Sequence, residues 1–242
     1  MSGSLAAHAH GARNRIGLYY ADTRDMSAAA VDALVTDGDR ERLSANARPL
    51  RRTQHLAGRA LLRFALEHWT GSAAASHRLH VREGGKPECL DGPAISVSHD
   101  ATSVACAIAG SGEVGVDVQH ALPRQRTADI ASQYFSRAEN AWLDSAAPDA
   151  FYMLWVLKEA YLKALGSGLA GGLGALDCRI EPPAIRAETA VPAALALYAV
   201  GKAYVGVAAL GSRDAEISVE CWRPSLTSVP PPLRLVATSW PA

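Results

Sequence analysis

The sequence predicts an α+β fold, and three observations support this class. Two long stretches, one in each half of the 242 residues, show helical periodicity. Each is associated with short runs of β-branched or small apolar residues that are separated by turn residues. The order of elements therefore repeats loosely, with a join near residues 111–125, although no sequence repeat is visible. Helices and hairpin-like strands grouped in this way are typical of the α+β class.

Residues 47–70 are predicted to form the first long helix. Apolar residues recur at helical spacing and indicate a buried face, while a basic face carries Arg52, His55, Arg59 and Arg63. The turn-rich stretch "VREGGKPECLDGPA" then leads into two predicted strands, "AISVS" and "SVACAIAG".

The second half begins with a strand, "VGVDVQ", that alternates strictly. Its three valines face one way, whereas Gly115, Asp117 and Gln119 face the other. Ser136 and Glu139 fit a capping box that opens a helix, and a second long helix is predicted from Asp149 to Leu165. Four further strands are predicted at "LDCRIE", "AALALYAV", "KAYVGVAAL" and "ISVECWRP". The resulting division is a flexible N-terminus (1–14), an N-terminal half (15–115), a C-terminal half (116–225) and a proline-rich tail (226–242).

Composition narrows the functional classes. The 24 lysines and arginines balance 24 aspartates and glutamates, so no global field attracts nucleic acid or an anionic membrane. No apolar run is long enough to span a bilayer, and the four cysteines contain no C-x-x-C pair typical of zinc sites. The N-terminal residues lack the apolar core of a signal peptide. We therefore expect a cytoplasmic protein with reduced thiols and with neither nucleic-acid nor membrane partners.

Trp155, Glu159 and Lys163 follow one another at intervals of four and share one face of the second long helix. Taken alone, Glu159 and Lys163 are equally consistent with a surface ion pair worth a few tenths of a kcal/mol, and Asp117 with a solvated strand residue. Taken together, two carboxylates beside lysines form a hard-oxygen site next to positive charge. Magnesium-bound phosphate requires such a site.

Two other motifs are poor indications of function. "GSGLAG" (166–171) satisfies G-x-G-x-x-G, but it follows a helix rather than a strand, so a helix end and loop are the better interpretation. "SHD" (98–100) contains the residue types of a hydrolase triad, but neighbours on an extended chain point to opposite faces. No P-loop motif is present.

Four motifs in order resemble the 4′-phosphopantetheinyl transferase superfamily, of the surfactin-synthetase-activating (Sfp-like) type: "GGKP", "ISVSHD", "GVDVQ" and "WVLKEAYLKALGSGL". The resemblance extends from about Arg51 to Leu169. It implies two similar α/β halves related by a pseudo-twofold axis, each with a long helix on a small, mainly antiparallel sheet, and coenzyme A between them. It also implies transfer of the phosphopantetheine arm of coenzyme A to a serine of an apo acyl or peptidyl carrier protein, with release of 3′,5′-ADP.

The resemblance also implies roles for individual residues. Asp117 and Glu159 would bind Mg²⁺, with Gln119 at the third, normally acidic, position. Donor binding would involve the remaining matched residues: Arg51 or Arg52 for the 3′-phosphate, Lys86 and Pro87 beside the adenine, Ser98 and His99 for phosphate, Lys158, and Lys163 for the pyrophosphate.

Gln119 departs from the family pattern because an amide brings no charge to the metal. It is the only support for an alternative, a homologue that binds coenzyme A or a carrier protein without turnover. A third hypothesis, an unrelated metal-dependent phosphotransferase, leaves "GGKP" and "SVSH" unexplained. We expect a monomeric enzyme, and the sequence does not identify the carrier protein or the general base.

Overall fold

The computed structural model describes residues 14–41, 48–82, 85–90, 92–122, 126–211, 213, 215–221 and 233–240. The predicted flexible N-terminus lies outside these residues, apart from Asn14, which begins the first strand.

The helices and strands follow one another along the chain in an α+β arrangement. The α-helices are α1 (Ala28–Asp32), α2 (Asp37–Glu41), α3 (Pro49–Thr70), α4 (Thr127–Tyr134), α5 (Arg137–Leu143) and α6 (Ala150–Leu165). The strands are β1 (Asn14–Asp22), β2 (Leu79–Val81), β3 (Pro87–Cys89), β4 (Ala94–Asp100), β5 (Ser103–Ala109), β6 (Val114–His120), β7 (Leu176–Glu181), β8 (Ala184–Thr189), β9 (Ala193–Val200), β10 (Ala203–Leu210), β11 (Ala215–Cys221) and β12 (Arg234–Thr238). Short 3-10 turns lie at Thr23–Asp25, Ala74–Ser76, Gly168–Gly171 and Leu173–Ala175.

Two sheets each carry one of the long helices. The first has the order β11-β1-β5-β4, and the second the order β6-β10-β9-β12-β8-β7, while β2 and β3 form a separate hairpin. Within the two larger sheets, only the β1–β11 and β12–β8 pairs are parallel. Helix α3 packs on the first sheet, and α6 packs on β6 and β10 of the second. The α+β class is confirmed, and the pseudo-twofold relation stays a prediction.

The structure crosses the predicted boundaries at two places. Strand β11 comes from the predicted C-terminal half but pairs with β1 in the first sheet. Strand β12 comes from the predicted tail but pairs with β9, and its last two residues, Ala237 and Thr238, are buried. The backbone of this segment gains ladder hydrogen bonds that a free tail lacks. Strands β1 and β8 were not predicted either.

Two glycines allow α6 to lie very close to the second sheet. A Cβ atom on Gly115 of β6 would lie 1.9 Å from the Ala160 carbonyl oxygen, and one on Gly206 of β10 would lie 2.4 Å from the Val156 oxygen. Only glycine fits at such an approach. The close packing places the polar face of β6 directly against α6. On the opposite face of β6, the three valines pack into the apolar core between the sheets, as predicted.

Strands β4 and β6, the facing edges of the two sheets, are joined by side chains. Ser96 Oγ accepts a hydrogen bond from the Val116 backbone N at 3.1 Å, and Asp100 Oδ2 accepts one from the His120 backbone N at 2.8 Å. These bonds bring the "ISVSHD" and "GVDVQ" motifs side by side. Among the helices that the structure describes, none is both long enough and apolar enough to cross a membrane.

Candidate functional site

A buried carboxylate, a hydroxyl and an ammonium meet where the two sheets join. Asp117 Oδ1 accepts hydrogen bonds from Ser98 Oγ at 2.7 Å and from Lys163 Nζ at 2.6 Å. Lys163 Nζ is also 2.9 Å from Ser98 Oγ, so the three groups form a closed triangle. Each residue comes from a different motif, on β4, β6 and α6. Asp117 is 6% exposed, so its charge acts in a largely water-excluded environment.

Glu159 lies one turn before Lys163 on α6, on the same side of the helix. Burial, followed by the negative charge of Asp117, raises the pKa of its carboxyl group, and Lys163 only partly offsets this effect. Its Oε1 atom is buried and has no hydrogen-bond partner among the described residues. Two neighbouring carboxylates, one with an unsatisfied oxygen, are chemically suited to a hard divalent cation. Such a cation would offset the repulsion between the two charges and would provide a partner for the unsatisfied oxygen.

Gln119 projects from the same face of β6 as Asp117, two residues further along. Its Nε2 atom is buried and also has no hydrogen-bond partner in the described part of the chain. Because the two ends of an amide are interchangeable in assignment, its oxygen is equally able to face a cation or a bound water. No group of three His, Cys, Asp or Glu side chains suited to a metal occurs in the described ranges. A cation here would therefore have only Asp117 and Glu159 as anionic ligands.

A cavity of about 230 Å³ opens beside these groups. The "GGKP" motif contributes Lys86 and Pro87 to one wall, and α6 contributes Glu159 and Lys163 to the other. The structure therefore brings together the first and last of the four motifs, which are separated by about 70 residues in the sequence.

A second basic group lies on the α3 side of the site. Arg51 and Arg52 are both exposed, and Arg51 Nη1 lies 3.5 Å from His99 Nε2. Burial, followed by the charges of Arg51 and Lys163, lowers the pKa of His99. An anion bound beside His99 and Arg51 would raise the pKa of His99 and so oppose the effect of the two positive charges.

Comparison with known proteins gives the same family as the motifs. Residues 113–205 match the model of the 4′-phosphopantetheinyl transferase superfamily. This segment is less than half of the chain, and over it the chain is similar to proteins of this superfamily. The matched segment contains Asp117, Glu159 and Lys163, whereas the "GGKP" and "SVSH" motifs precede it.

Several relatives carry the transferase name. A putative 4′-phosphopantetheinyl transferase of Synechocystis sp. is 31% identical over 149 residues, which are 58% of this chain and 61% of the relative. The 4′-phosphopantetheinyl transferase of Bacillus subtilis is 33% identical over 132 residues, 52% of this chain and 58% of the relative. The 4′-phosphopantetheinyl transferase AcpT of Salmonella typhi is 28% identical over 170 residues, 64% of this chain and 85% of the relative. The chain thus spans less than two thirds of the length of the first two.

Lys158, predicted to bind the donor, lies elsewhere in the structure. It is 1% exposed, forms an ion pair with Glu139 Oε1 at 2.7 Å and donates to the backbone oxygens of Leu173 and Leu176. Its ammonium also lies over the Phe135 ring at 5.0 Å. A lysine buried with this many partners is structural, because freeing it would leave Glu139 buried without its counterion.

Two arginines of the predicted basic face of α3 also turn inward. Arg59 Nε and Arg63 Nε bind the carboxylate oxygens of Asp39 at 2.7 and 2.5 Å, and all three residues are buried. These arginines therefore attach α3 to α2 and do not contribute to a phosphate site. The "SHD" stretch forms no triad, as predicted, because Ser98 bonds to Asp117 and Lys163 while Asp100 bonds to His120.

The carboxylate partners of two predicted site lysines were missed from the sequence. Glu113 binds Lys86, and nothing in the sequence marks it apart from its place just before β6. Glu139 was recognised as a capping residue, and the capping box is confirmed. Its second role as the partner of Lys158 depends on a tertiary contact that local patterns do not contain.

Proposed function

We propose that this protein transfers the 4′-phosphopantetheine arm of coenzyme A to a serine of an apo acyl or peptidyl carrier protein and releases 3′,5′-ADP. One observation carries the proposal. Residues from four separate motifs converge at the joint of the two sheets, with Asp117, Glu159 and Lys163 beside the cavity that Lys86 lines. Carboxylates for a cation next to ammonium groups for phosphate are the groups that phosphoryl transfer needs.

In the proposed reaction, the serine oxygen of the carrier attacks the β-phosphorus of coenzyme A, and the bond from that phosphorus to 3′,5′-ADP breaks. Negative charge then builds on the phosphate oxygens, where the Lys163 ammonium stabilises it. Asp117 and Ser98 hold that ammonium in place through the closed triangle of hydrogen bonds. Glu159 accepts the serine proton, directly or through a water.

Asp117 and Glu159 would hold Mg²⁺, with Gln119 contributing an amide oxygen or orienting a bound water. The ion would supply positive charge to the pyrophosphate oxygens. A carboxylate that binds the metal is a weaker base, so the two roles assigned to Glu159 oppose each other. Lys86 and Pro87 form the wall for the adenine end of the donor, and Arg51 with His99 binds its 3′-phosphate.

We further propose the surfactin-synthetase-activating type and a monomeric enzyme. The order of all four motifs along the chain supports the type. The monomer is supported by the site itself, since every group assigned a role comes from a single chain. The alternative of binding without turnover has Gln119 as its only support, while Asp117, Glu159 and Lys163 are all in place.

The test is incubation of the protein with coenzyme A, Mg²⁺ and either an apo acyl or an apo peptidyl carrier protein, followed by intact-mass measurement of the carrier. We expect a gain of one phosphopantetheine arm that requires both coenzyme A and Mg²⁺. A Lys163→Met variant serves as the matched inactive control. Binding of coenzyme A without any mass gain on either carrier would favour the alternative, and no binding at all would contradict both.

A further inference from the structure

Lys86 is held by two groups that belong to different elements. Its Nζ donates to Glu113 Oε2 at 2.6 Å and to the Ala164 carbonyl oxygen at 3.1 Å. Glu113 lies immediately before β6, and Ala164 lies in the last turn of α6. A cation is favourable at this end of a helix, where carbonyl groups lack partners within the helix. Lys86 therefore joins the β2–β3 hairpin to both elements that carry the candidate active site.

Glu113 is itself held from the other side. Its Oε1 accepts from Arg82 Nη1 at 3.3 Å, and Arg82 Nη2 binds Glu88 Oε1 at 2.5 Å. Burial would raise the pKa of Glu113, but hydrogen bonds and the charges of Lys86 and Arg82 lower it overall. The carboxylate is thus ionised at neutral pH, and it has one oxygen for each cation.

The contacts of Lys86 leave part of its ammonium for a ligand. An ammonium has three N–H donors, and among the described residues Glu113 and Ala164 take two of them. The Lys86 side chain is only 11% exposed, and it lines the same cavity as Glu159 and Lys163. Fixing a long lysine side chain in advance removes an entropy cost that binding would otherwise have to meet.

We infer that Glu113 is a positioning residue of the donor site, holding Lys86 against the end of α6 so that its remaining N–H faces an anionic donor. This inference rests on the proposed function. The carboxylate also repels an anionic donor, but its side chain is 39% exposed, so solvent screens that repulsion. Its contact with Lys86 is direct, at 2.6 Å, and we infer that this contact is the larger effect.

The experiment compares five variants with the wild type, by the Michaelis constant for coenzyme A, the turnover number and thermal melting. We expect Glu113→Ala to raise the Michaelis constant about three- to tenfold with turnover within about twofold, because the donor end does not change during transfer. Glu113→Gln keeps an acceptor for Lys86 and should recover most of the loss. Glu88→Ala is the control, because Glu88 shares Arg82 but does not touch Lys86.

A double variant tests whether Glu113 acts through Lys86 or acts on the donor independently of it. If Glu113 acts through Lys86, Glu113→Ala combined with Lys86→Met should be no worse than Lys86→Met alone. An unchanged or lower Michaelis constant in folded Glu113→Ala, or additive losses in the double variant, would overturn the inference while transfer by the wild type still supports the proposed function. If the wild type neither binds coenzyme A nor modifies a carrier, the proposed function fails and the inference fails with it.

Discussion

Replacing Glu159 by glutamine should reduce the rate of transfer without reducing the stability of the fold. In the absence of metal, burial and the charge of Asp117 raise the pKa of Glu159 above that of an ordinary glutamate. A carboxyl group whose pKa is raised by folding binds its proton more tightly in the folded state. It therefore favours folding at low pH, and that contribution is lost as the pH rises through the folded pKa. Wherever the carboxyl group is ionised, its buried charge opposes folding, and glutamine removes that cost.

The expected loss of activity follows from the charges in the site. Asp117 and Glu159 are the two carboxylates available for a cation, and Lys163 already neutralises part of the Asp117 charge through its 2.6 Å contact. Glutamine keeps the shape of Glu159 but removes the less compensated of the two charges. We expect transfer to fall by two or more orders of magnitude, about 3 kcal/mol or more of transition-state stabilisation.

The assay measures carrier modification and thermal melting, each with Mg²⁺ and with a chelator. In the chelator, Glu159→Gln should melt at the wild-type temperature or above it, and Mg²⁺ with coenzyme A should stabilise the wild type more than the variant. Glu188→Gln, which changes an exposed glutamate, should alter neither quantity. Near-normal transfer by the folded variant would show that Glu159 takes no part in the chemistry. A lower melting temperature in the chelator would refute the electrostatic argument.

Two further predictions concern other charges in the structure. Asp39→Asn should reduce the free energy of unfolding in urea by about 3–5 kcal/mol, because it leaves two buried arginines without their counterion. Asp32→Asn, which breaks a surface pair, should cost no more than about 1 kcal/mol, and equal effects would contradict the assigned role of Asp39. Gln119→Glu should lower the Mg²⁺ concentration that gives half-maximal transfer, because it adds a charge near the proposed metal. An unchanged requirement would remove Gln119 from the site.

Local patterns predicted the ends and faces of the principal elements well. Helix α6 ends at Gly166 with the expected left-handed cap, and the strict alternation of β6 correctly placed Asp117 opposite the valines. These successes share a cause, since helix ends and strand faces depend on residues a few positions apart. Strand β12 was missed because its pairing partner, β9, is about 40 residues away. A proline-rich context gave no sign of that pairing.

The errors among charged residues have a different origin. Periodicity shows which charges share a helix face, but not whether that face meets solvent, a ligand or a buried counterion. Arg63 appears as exposed as Arg52 in the sequence, yet Asp39 draws it into the interior. The distinction depends on a partner that only the tertiary fold supplies.

Lys158 and Glu159 show that periodicity also fails to tell which charged residues of the motif reach the site. Successive residues of a helix point about 100° apart, so these two neighbours cannot face the same surroundings. Glu139 and the backbone around Leu173 hold Lys158 on the buried side of α6. Because Gly115 lets the helix approach β6 closely, that rotation leaves Glu159 close enough to Asp117 for the Asp117 charge to raise its pKa. The motif therefore combines one lysine that fixes the orientation of the helix with a glutamate and a second lysine that the orientation presents to the cavity.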